Sequence, residues 1–243
     1  MLTHHELDFL KSLQQKKDRE KAQCFVIDNP KVIAEHTQSQ YFQKLYVTEE
    51  ASIKYKEYWK NTDYTIISHS ELKKISPSTT PQGSVAIFQF LPVPKFDYQN
   101  DTILLLEGIQ DPGNVGTILR TADWFGIQNI FLNSECADVY NPKTIASSMG
   151  SIFNIHFYQN QDLVQLAHDL KNNQYKIIAS DSHGKDTELI KGKKAIIIGS
   201  EARGISKELS ELADQHYKIS GRGQAESLNA AVAASIIMHQ IKK

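Results

Sequence analysis

The sequence predicts an α/β protein with two domains, in which a small α/β unit precedes a larger domain built on a mostly parallel sheet. Short apolar runs of strand length alternate with longer stretches of helical periodicity along the chain. This alternation is typical of parallel sheets that carry helices on both faces. The length of 243 residues is sufficient for two modest hydrophobic cores.

The first part of the chain contains the elements of the small unit. Leu7, Leu10 and Leu13 lie at helical spacing and predict a helix over residues 6–17. The continuous apolar run over residues 24–27 predicts a strand, and turn residues separate it from the elements that follow. Further helices are predicted over 30–37 and 50–60, and further strands over 44–48, 64–67 and 84–90.

A connector between the domains is predicted at two closely spaced prolines, Pro92 and Pro94. Proline fixes its own φ angle and lacks a backbone N–H, so this segment favours an extended and semi-rigid conformation. We therefore expect a first domain over residues 1–90, a linker over 91–100 and a second domain over 101–243.

The second domain repeats the alternation of strand and helix more regularly. Each predicted strand is short and apolar, as expected for strands that are buried on both faces. The predicted strands cover 102–108, 128–132, 153–158, 175–180, 194–198 and 216–219, and the predicted helices cover 114–125, 142–149, 161–171, 205–212 and 227–240.

Composition excludes several classes of protein. The formal net charge of -1 means that a nucleic-acid partner must be held by a local patch of charge and not by bulk charge. Cys24 and Cys136 do not have the spacing of metal ligands, so we expect neither a zinc module nor a disulfide scaffold. Apolar stretches are too short to span a membrane, and charges interrupt residues 1–11, where a signal peptide needs an apolar core. We expect a cytoplasmic protein.

Three short segments of the second domain combine glycine with polar side chains. Residues 111–116, with Arg120 beyond them, residues 199–204 and residues 227–229 each follow a predicted strand and open a helix. Such junctions gather at the carboxyl edge of a parallel sheet, where α/β proteins bind their ligands. The pattern therefore predicts one shared site, and a shared site of polar side chains suggests an enzyme.

The first segment also has a purely structural interpretation. Asp111 to Asn114 is favourable turn chemistry, and Asn114 can cap the helix that follows. Arg120 does not benefit from the dipole near a helix start, which favours anions, but it can pair with Asp123 three residues later.

The second and third segments each lack a key residue of a common nucleotide site. Gly199 and Gly204 have the spacing of a phosphate-binding P-loop, but Ile205 stands where the phosphate-binding lysine is required. The segment 220–226 begins like a dinucleotide fingerprint, but Glu226 replaces its third glycine. Ser227 can cap the last helix, which places Asn229 in the first turn, facing the same crevice as Asn114 and Glu201.

Together, residues 111–122, 199–204 and 226–229 resemble the three motifs of the SpoU (TrmH-type) branch of the SPOUT RNA methyltransferases. The order and the separations of the motifs match, and the resemblance extends over residues 100–243. The first domain is similar to the small substrate-binding domain of many ribosomal-RNA members, although Asp28-Asn29 stands where many relatives have Glu-Gly.

The resemblance implies methyl transfer from S-adenosylmethionine to a ribose 2′-hydroxyl of RNA, with ribosomal RNA, 23S in particular, favoured over transfer RNA. It also implies a deep knot near the C-terminus and a homodimer. Many relatives have proline after the position of Ile219, where this chain has Ser220. The implied catalytic and substrate-orienting residues are Asn114, Arg120, Glu201, Ser227 and Asn229, and the implied cofactor-binding residues are Ile198, Gly199, Ser200, Ile219 and Leu228.

Basic side chains near the N-terminus are candidates for contact with RNA, although such runs are more often solvated faces. The RNA-binding candidates are Lys11, Lys16, Lys17 and Arg19, with Lys21, Lys73, Lys74 and, in the second motif, Arg203 as further cations.

Three functional alternatives stay open: an RNA-binding protein that keeps this scaffold without catalysis, a methyltransferase acting on transfer RNA, and a nucleotide hydrolase.

Overall fold

A computed structural model describes residues 2–185, 188, 191–200 and 202–241, except for the side chains of residues 182 and 183. The chain divides into two compact units. The first consists of Met1–Pro92 with Tyr140–Gly150, and the second of Val93–Val139 with Ser151–Lys243. Residues 140–150, which the sequence pattern placed in the second domain, thus pack within the first unit.

The first unit is built on a mixed four-stranded sheet. Its strand order is β1-β4-β2-β3, with β4 antiparallel to both of its neighbours and β3 parallel to β2 at the edge. Apolar side chains from the strands and from the first and fifth helices form its core. The strands are β1 (Cys24–Ile27), β2 (Phe42–Val47), β3 (Tyr64–Ile66) and β4 (Ser84–Gln89), and the helices before residue 90 are α1 (His4–Ser12), α2 (Lys16–Ala22), α3 (Pro30–His36), α4 (Glu49–Lys54) and α5 (His69–Ile75).

Capping chemistry explains where two of these helices begin. Thr3 at the start of α1 and Ser68 at the start of α5 each form a capping box with a glutamate three residues later, Glu6 and Glu71 respectively. The α5 helix is absent from the prediction, although the Ser68-x-x-Glu71 pattern is a recognised start signal. The predicted helix over 50–60 is also too long, since α4 ends at Lys54.

The predicted first helix, over residues 6–17, is wrong in detail because the chain turns between α1 and α2. Arg19 holds this turn, since its Nη1 atom donates hydrogen bonds to the carbonyl oxygens of Leu13 at 3.0 Å and Gln14 at 2.8 Å. The Arg19 side chain is consequently buried. Its charge satisfies backbone acceptors within the fold, so the prediction that Arg19 contacts RNA is wrong.

The second unit is built on a six-stranded sheet in which all neighbours are parallel. Its strand order is β10-β8-β9-β5-β6-β7, as the predicted α/β class requires. The remaining strands are β5 (Thr102–Glu107), β6 (Asn129–Leu132), β7 (His156–Tyr158), β8 (Lys176–Lys185), β9 (Lys194–Gly199) and β10 (Gln215–Tyr217); the remaining helices are α6 (Pro112–Trp124), α7 (Pro142–Ser148), which belongs to the first unit, α8 (Leu163–Asn172), α9 (Lys207–Glu211) and α10 (Ala230–Ile241).

The order of the strands reverses at the centre of this sheet. From β5 the chain moves outward through β6 to β7, then crosses to β8 on the other side of β5, and β9 fills the place between β8 and β5. Open α/β sheets bind ligands outside the carboxyl ends of the strands at such a reversal. After β10, at the far edge, residues 218–229 lead to α10, which packs against α6. The deep knot stays an expectation from the resemblance.

Three predicted ends in the second unit are wrong. The strand predicted over 175–180 extends to Lys185 as β8. The predicted strand over 153–158 is in fact a single 3₁₀ turn, Ser151–Phe153, followed by the short strand β7. The last helix begins at Ala230 and not at residue 227. Among the described residues, no helix is both long and apolar enough to cross a membrane.

The ion pair between Glu6 and Lys44 makes the stability of the first unit dependent on pH. The hydrogen bond from Lys44 Nζ, at 2.8 Å, and the backbone N–H of Thr3 lower the pKa of Glu6 from 4.5 to about 2. A carboxyl group with a lowered pKa stabilises the folded state above the unfolded pKa, and this contribution is lost as the pH falls toward the folded pKa.

We therefore expect Glu6→Gln to lower the melting temperature at neutral pH, with a difference from wild type that shrinks between pH 4.5 and about pH 2. Thermal unfolding at a series of pH values checks this. Glu57→Gln is the matched control, because Glu57 is an exposed carboxylate of the same unit. A difference that persists unchanged at the lowest pH would contradict the expectation.

Candidate functional site

The first two glycine-rich segments follow neighbouring strands of the second unit. Strands β5 and β9 pair in parallel, with Leu106 opposite Ile198 and Glu107 opposite Gly199. Their carboxyl ends therefore lie side by side at the point where the strand order reverses. The predicted convergence of these two segments follows directly from this register.

The third segment reaches the same place through Asn229, which caps the last helix. The Oδ1 atom of Asn229 accepts hydrogen bonds from the backbone N–H groups of Ala231 at 3.0 Å and Val232 at 3.3 Å. The backbone carbonyl of Asn229 accepts a further bond from Ala233. Asn229 is therefore the capping residue of α10, and the prediction that Ser227 has this role is wrong. Ser227 is exposed two residues earlier.

The same side chain joins the third segment to the first. Asn229 Nδ2 donates a hydrogen bond of 3.0 Å to Oδ1 of Asn114, near the start of α6. Because the cap occupies Oδ1 of Asn229, only its NH₂ group can face Asn114, which fixes the orientation of both amides. Two polar side chains that are 115 residues apart in sequence thus meet, as predicted.

The helices that carry this pair pack against each other, and Thr121 Oγ1 lies 3.3 Å from Ser235 Oγ. Arg120, one position before Thr121, is exposed. Among the described residues, its guanidinium makes neither a hydrogen bond nor an ion pair. The expected alternative partner, Asp123, instead accepts a hydrogen bond of 3.1 Å from Asn154.

Arg120 and Asn114 lie on different faces of α6. Six residues of α-helix advance by about 9 Å and turn by about 600°, which leaves the two side chains roughly 120° apart. Arg120 instead shares a face with Trp124, four residues later, whose relative exposure is 84%. A cation and a large exposed ring thus stand together on a face of α6 that differs from the face of Asn114.

The loop 199–204 closes on itself as a tight turn. Ser200 and Gly204 exchange two backbone hydrogen bonds, of 3.2 and 2.9 Å, and the N–H of Arg203 donates to Ser200 Oγ at 3.2 Å. These N–H groups are consequently unavailable to cradle a phosphate group. This geometry disfavours the nucleotide-hydrolase alternative further, beyond the missing lysine.

Glycine is required at position 199 because a backbone passes close by. A Cβ atom on Gly199 would lie 2.5 Å from the backbone carbonyl of Gly204. The turn is also tied to the end of β6 through an ion pair between the exposed side chains of Arg203 and Glu135. Arg203, predicted to contact RNA, therefore already has a partner, which an RNA phosphate would have to displace.

Sequence reasoning missed the residues that support the strand ends. Glu107 accepts a hydrogen bond of 2.8 Å from the backbone N–H of Ser206, before α9. Asn133 Oδ1 accepts one of 3.0 Å from Gly108, whose φ of +68° is in the left-handed region. A carboxylate at the end of a buried strand was the available signal for Glu107, whereas the spacing of Asn133 carried none.

The thiol of Cys136 belongs to this supporting structure. Its Sγ atom donates to the carbonyl of Leu106 at 3.2 Å, and burial raises the pKa of the thiol to about 11. A thiol with such a raised pKa is a poor nucleophile. Cys136 therefore has a structural role. Separately, among the described residues no group of three or more side chains could hold a metal ion.

The remaining predicted residues lie near the strand ends or in the loop before α10. Ile198 is buried, Gly199, Ser200 and Ile219 are half-buried, and Leu228 is exposed. Glu201 falls outside the described residues. Lys11, Lys16 and Lys17 are exposed, and Lys16 pairs weakly with Glu20 at 3.8 Å.

Comparison with known families assigns both parts of the chain. Residues 101–239 match the SpoU rRNA Methylase family. Residues 6–86 match the MRM3-like substrate binding domain. Over 235 residues, the chain is 29% identical to the 23S rRNA (guanosine(2553)-2′-O)-methyltransferase RlmP of Bacillus subtilis, covering 96% of this chain and 94% of the relative.

Solved structures are similar over the whole length. A putative RNA methyltransferase of the TrmH family from Porphyromonas gingivalis aligns with a TM-score of 0.86 and 30% identity, covering 99% of this chain and 98% of that one. An AdoMet-bound rRNA methyltransferase from Sinorhizobium meliloti aligns with a TM-score of 0.82 and 25% identity, covering 100% of this chain and 95% of that one.

The double role of Asn229 leads to a prediction about stability. Asn229→Ala removes the cap of α10, which costs about 1 kcal/mol, and the bond to Asn114, so we expect a lower free energy of unfolding. Asn229→Asp keeps an acceptor for the cap but loses the NH₂ donor to Asn114, so its free energy of unfolding should lie between those of Asn229→Ala and wild type. Urea unfolding and hydrogen exchange at Ala231 and Val232 measure both effects. Unchanged exchange in Asn229→Ala would show that the cap contributes nothing.

Proposed function

Since the chain belongs to the SpoU rRNA Methylase family and is an S-adenosylmethionine-dependent RNA methyltransferase, we propose that it methylates a ribose 2′-hydroxyl in 23S ribosomal RNA. The observation that carries this proposal is the hydrogen bond between Asn229 and Asn114, which joins the first and third motifs beside the ends of β5 and β9. Residues that meet at a strand-order reversal are arranged for a ligand and not only for packing.

The candidate cofactor residues fit S-adenosylmethionine by their chemistry. They are uncharged, so they offer backbone groups and apolar surface, which suit an adenosine ring. Leu228 in particular is an exposed apolar side chain, with 44% relative exposure, in the loop before α10. When bound, the cofactor supplies an electrophilic methyl group. The residues that would hold it are Ile198, Gly199, Ser200, Ile219 and Leu228.

The polar residues are suited to holding the ribose and its charge. A ribose hydroxyl is a weak nucleophile, and negative charge develops on its oxygen as it attacks. Asn114, whose orientation is set by Asn229, is positioned to bind the sugar, because a fixed amide loses little freedom on binding. Glu201 and Ser227 complete the proposed substrate-orienting set.

In this proposal Arg120 acts through its positive charge. A guanidinium gives up a proton only at a high cost, so we assign Arg120 to the neighbouring phosphate and to the developing oxyanion, and not to proton abstraction. Its exposure, and the absence of a partner among the described residues, leave the group available for this purpose.

We also propose that the active protein is a homodimer. Trp124 is 84% exposed and Val232 on the neighbouring helix is 47% exposed, although large aromatic side chains are usually buried in a core or an interface. Arg120 shares the face of Trp124, so a second copy packed on this surface would bring Arg120 toward the partner's Asn114–Asn229 pair. In a twofold dimer both sites are completed in the same way.

Support for ribosomal RNA comes from the extent of the similarity. The match to a relative named for 23S rRNA includes both units, and the first unit matches a substrate-binding domain. Lys11, Lys16 and Lys17 on the first unit are exposed cations for this RNA. A cytoplasmic location agrees with such a substrate. Transfer RNA is the alternative substrate.

A second candidate function, RNA binding without methyl transfer, is favoured by one departure from the third motif. Ser220 and Gly221 follow Ile219 where many relatives have proline next, and a flexible pair makes the cofactor loop costlier to order. Calorimetry with S-adenosylmethionine followed by a methyl-transfer assay on ribosomal RNA separates the two functions, because only the enzyme transfers the label.

Arg120→Ala should bind S-adenosylmethionine like wild type and lose turnover by roughly 100-fold or more, as expected for removing one group that stabilises a developing charge. Calorimetry and transfer of labelled methyl groups to ribosomal RNA check the two parts. Lys207→Ala is the matched control, since it removes an exposed cation from the same unit. Wild-type turnover in Arg120→Ala would refute the assigned role.

Trp124→Asp should convert the dimer into a monomer in analytical ultracentrifugation and reduce turnover with it. Ile53→Asp, at a side chain that is 73% exposed on the first unit, is the control and should stay dimeric. If Arg120 acts on the partner's site, mixing Arg120→Ala with Asn114→Ala chains should restore part of the activity. A dimer that persists in Trp124→Asp would place the interface elsewhere.

A further inference from the structure

The first unit contains a cleft that the proposed methyl-transfer site does not use. It has a volume of about 160 Å³ and lies between the end of β1, the loop 77–82 and helix α7. Pockets for drug-sized ligands and cofactors have volumes of roughly 300–1,000 Å³. This cleft is therefore too small for S-adenosylmethionine and has room for a single ring system.

The inner walls of the cleft are apolar. Val32 on α3 and Ile145 on α7 are buried side chains that line it, and Met149 lies at its edge with 40% relative exposure. Met149 has a φ of +49°, a left-handed conformation that is uncommon outside glycine, and its Sδ atom lies 3.9 Å from Nδ2 of Asn29. Thioether and aliphatic groups form a favourable surface for the face of a flat ring.

The polar groups of the cleft lie on the other side, around Asp28. Oδ2 of Asp28 accepts hydrogen bonds from Ser76 Oγ at 2.6 Å and from the backbone N–H of Ser78 at 3.2 Å. Within the described part of this unit, Oδ1 of Asp28 has no hydrogen-bond partner. Asp28 is only 9% exposed, but its Oδ1 atom keeps access to solvent, so this oxygen can accept a hydrogen bond from a ligand in the cleft.

The charge of the lining selects the chemistry of the ligand. The other polar side chains that line the cleft are Asn29, Ser78, Thr80 and Gln82, and among the described residues no lysine or arginine lines it. A carboxylate without a neighbouring cation repels phosphate and other anions and attracts N–H groups. The ligand that fits is neutral, flat and rich in N–H donors.

We infer that this cleft binds one unpaired nucleobase of the RNA substrate, with Asp28 accepting a hydrogen bond from the amino group of guanine, adenine or cytosine. Uracil is disfavoured because its one ring N–H lies between two carbonyl oxygens, which the carboxylate repels. This inference rests on the proposed function for the identity of the RNA. Single-stranded bases splayed into protein pockets are the usual means of sequence recognition in RNA.

Asp28→Asn tests the inference with little change to the fold. The asparagine oxygen can still accept the bonds from Ser76 and Ser78, while its NH₂ group replaces the free carboxylate oxygen with a donor. The probes are short uridine oligonucleotides that carry one guanosine, adenosine or cytidine, together with the all-uridine strand. Binding to the full chain is measured by fluorescence anisotropy.

Wild type should bind the strand with the amino-bearing base roughly 5- to 100-fold more tightly than the all-uridine strand, and Asp28→Asn should lose or reverse this preference. Equal affinity for all strands in both proteins would overturn the inference. Free guanosine is a further probe; binding of guanosine as tight as that of the oligonucleotide would identify a site for a free nucleoside and would also overturn it.

A second variant fills the cleft without touching the carboxylate. Ala146 is an exposed residue of α7 that lines the cleft, so Ala146→Phe should block it and abolish the base preference. Glu35→Phe places the same ring on the exposed side of α3, away from the cleft, and is the matched control. Retained base preference in Ala146→Phe contradicts the inference.

The two proposals fail separately. If the wild-type chain methylates ribosomal RNA but the cleft variants bind and methylate it unchanged, the base-binding cleft is refuted and the methyl-transfer proposal stands. If the wild type shows the base preference but transfers no methyl group, the cleft stands and the proposed reaction is refuted.

Discussion

The parallel pairing of β5 with β9 is the interaction on which the second unit depends. Six consecutive residues of each strand are in register, from Thr102 opposite Lys194 to Glu107 opposite Gly199. The side chains between the two ends are buried on both faces of the sheet, so a shift by one residue would move each of them into the packing environment of the opposite face. This register brings together the loops that begin near residues 108 and 199, and no local interaction could substitute for it.

Asn229 transmits this arrangement to the last helix. Its oxygen closes the start of α10 and its NH₂ group reaches Asn114, so the position of a helix and the orientation of a polar side chain have the same cause. A site built in this manner is rigid without a large buried area, because the hydrogen bonds and not side-chain packing fix the amides. The exposed Arg120 is the opposite case, a charge that the described part of the chain leaves without a local constraint.

Much of this arrangement was predictable from the sequence, because hydrophobic periodicity and turn residues are local signals. The two sheets, the parallel class of the second and the meeting of Asn114 with Asn229 follow from strand-length apolar runs that end in turn residues. The errors arise where local chemistry has more than one solution. Ser227 and Asn229 are both good caps, and only the position of α10 against α6 selects Asn229. Arg19 stands in a run of otherwise exposed cations, and only the turn between α1 and α2 buries it.

The position of residues 140–150 in the first unit affects how the protein folds during its synthesis on the ribosome. The first unit needs α7 against β1, yet almost fifty residues of the second unit are synthesised between Pro92 and Tyr140. Domains usually fold as they emerge, with the N-terminal one first. The nascent first unit therefore cannot complete its packing until α7 has been synthesised. A fragment truncated at the linker lacks α7, and for this reason it is a poor substitute for the whole chain in expression experiments.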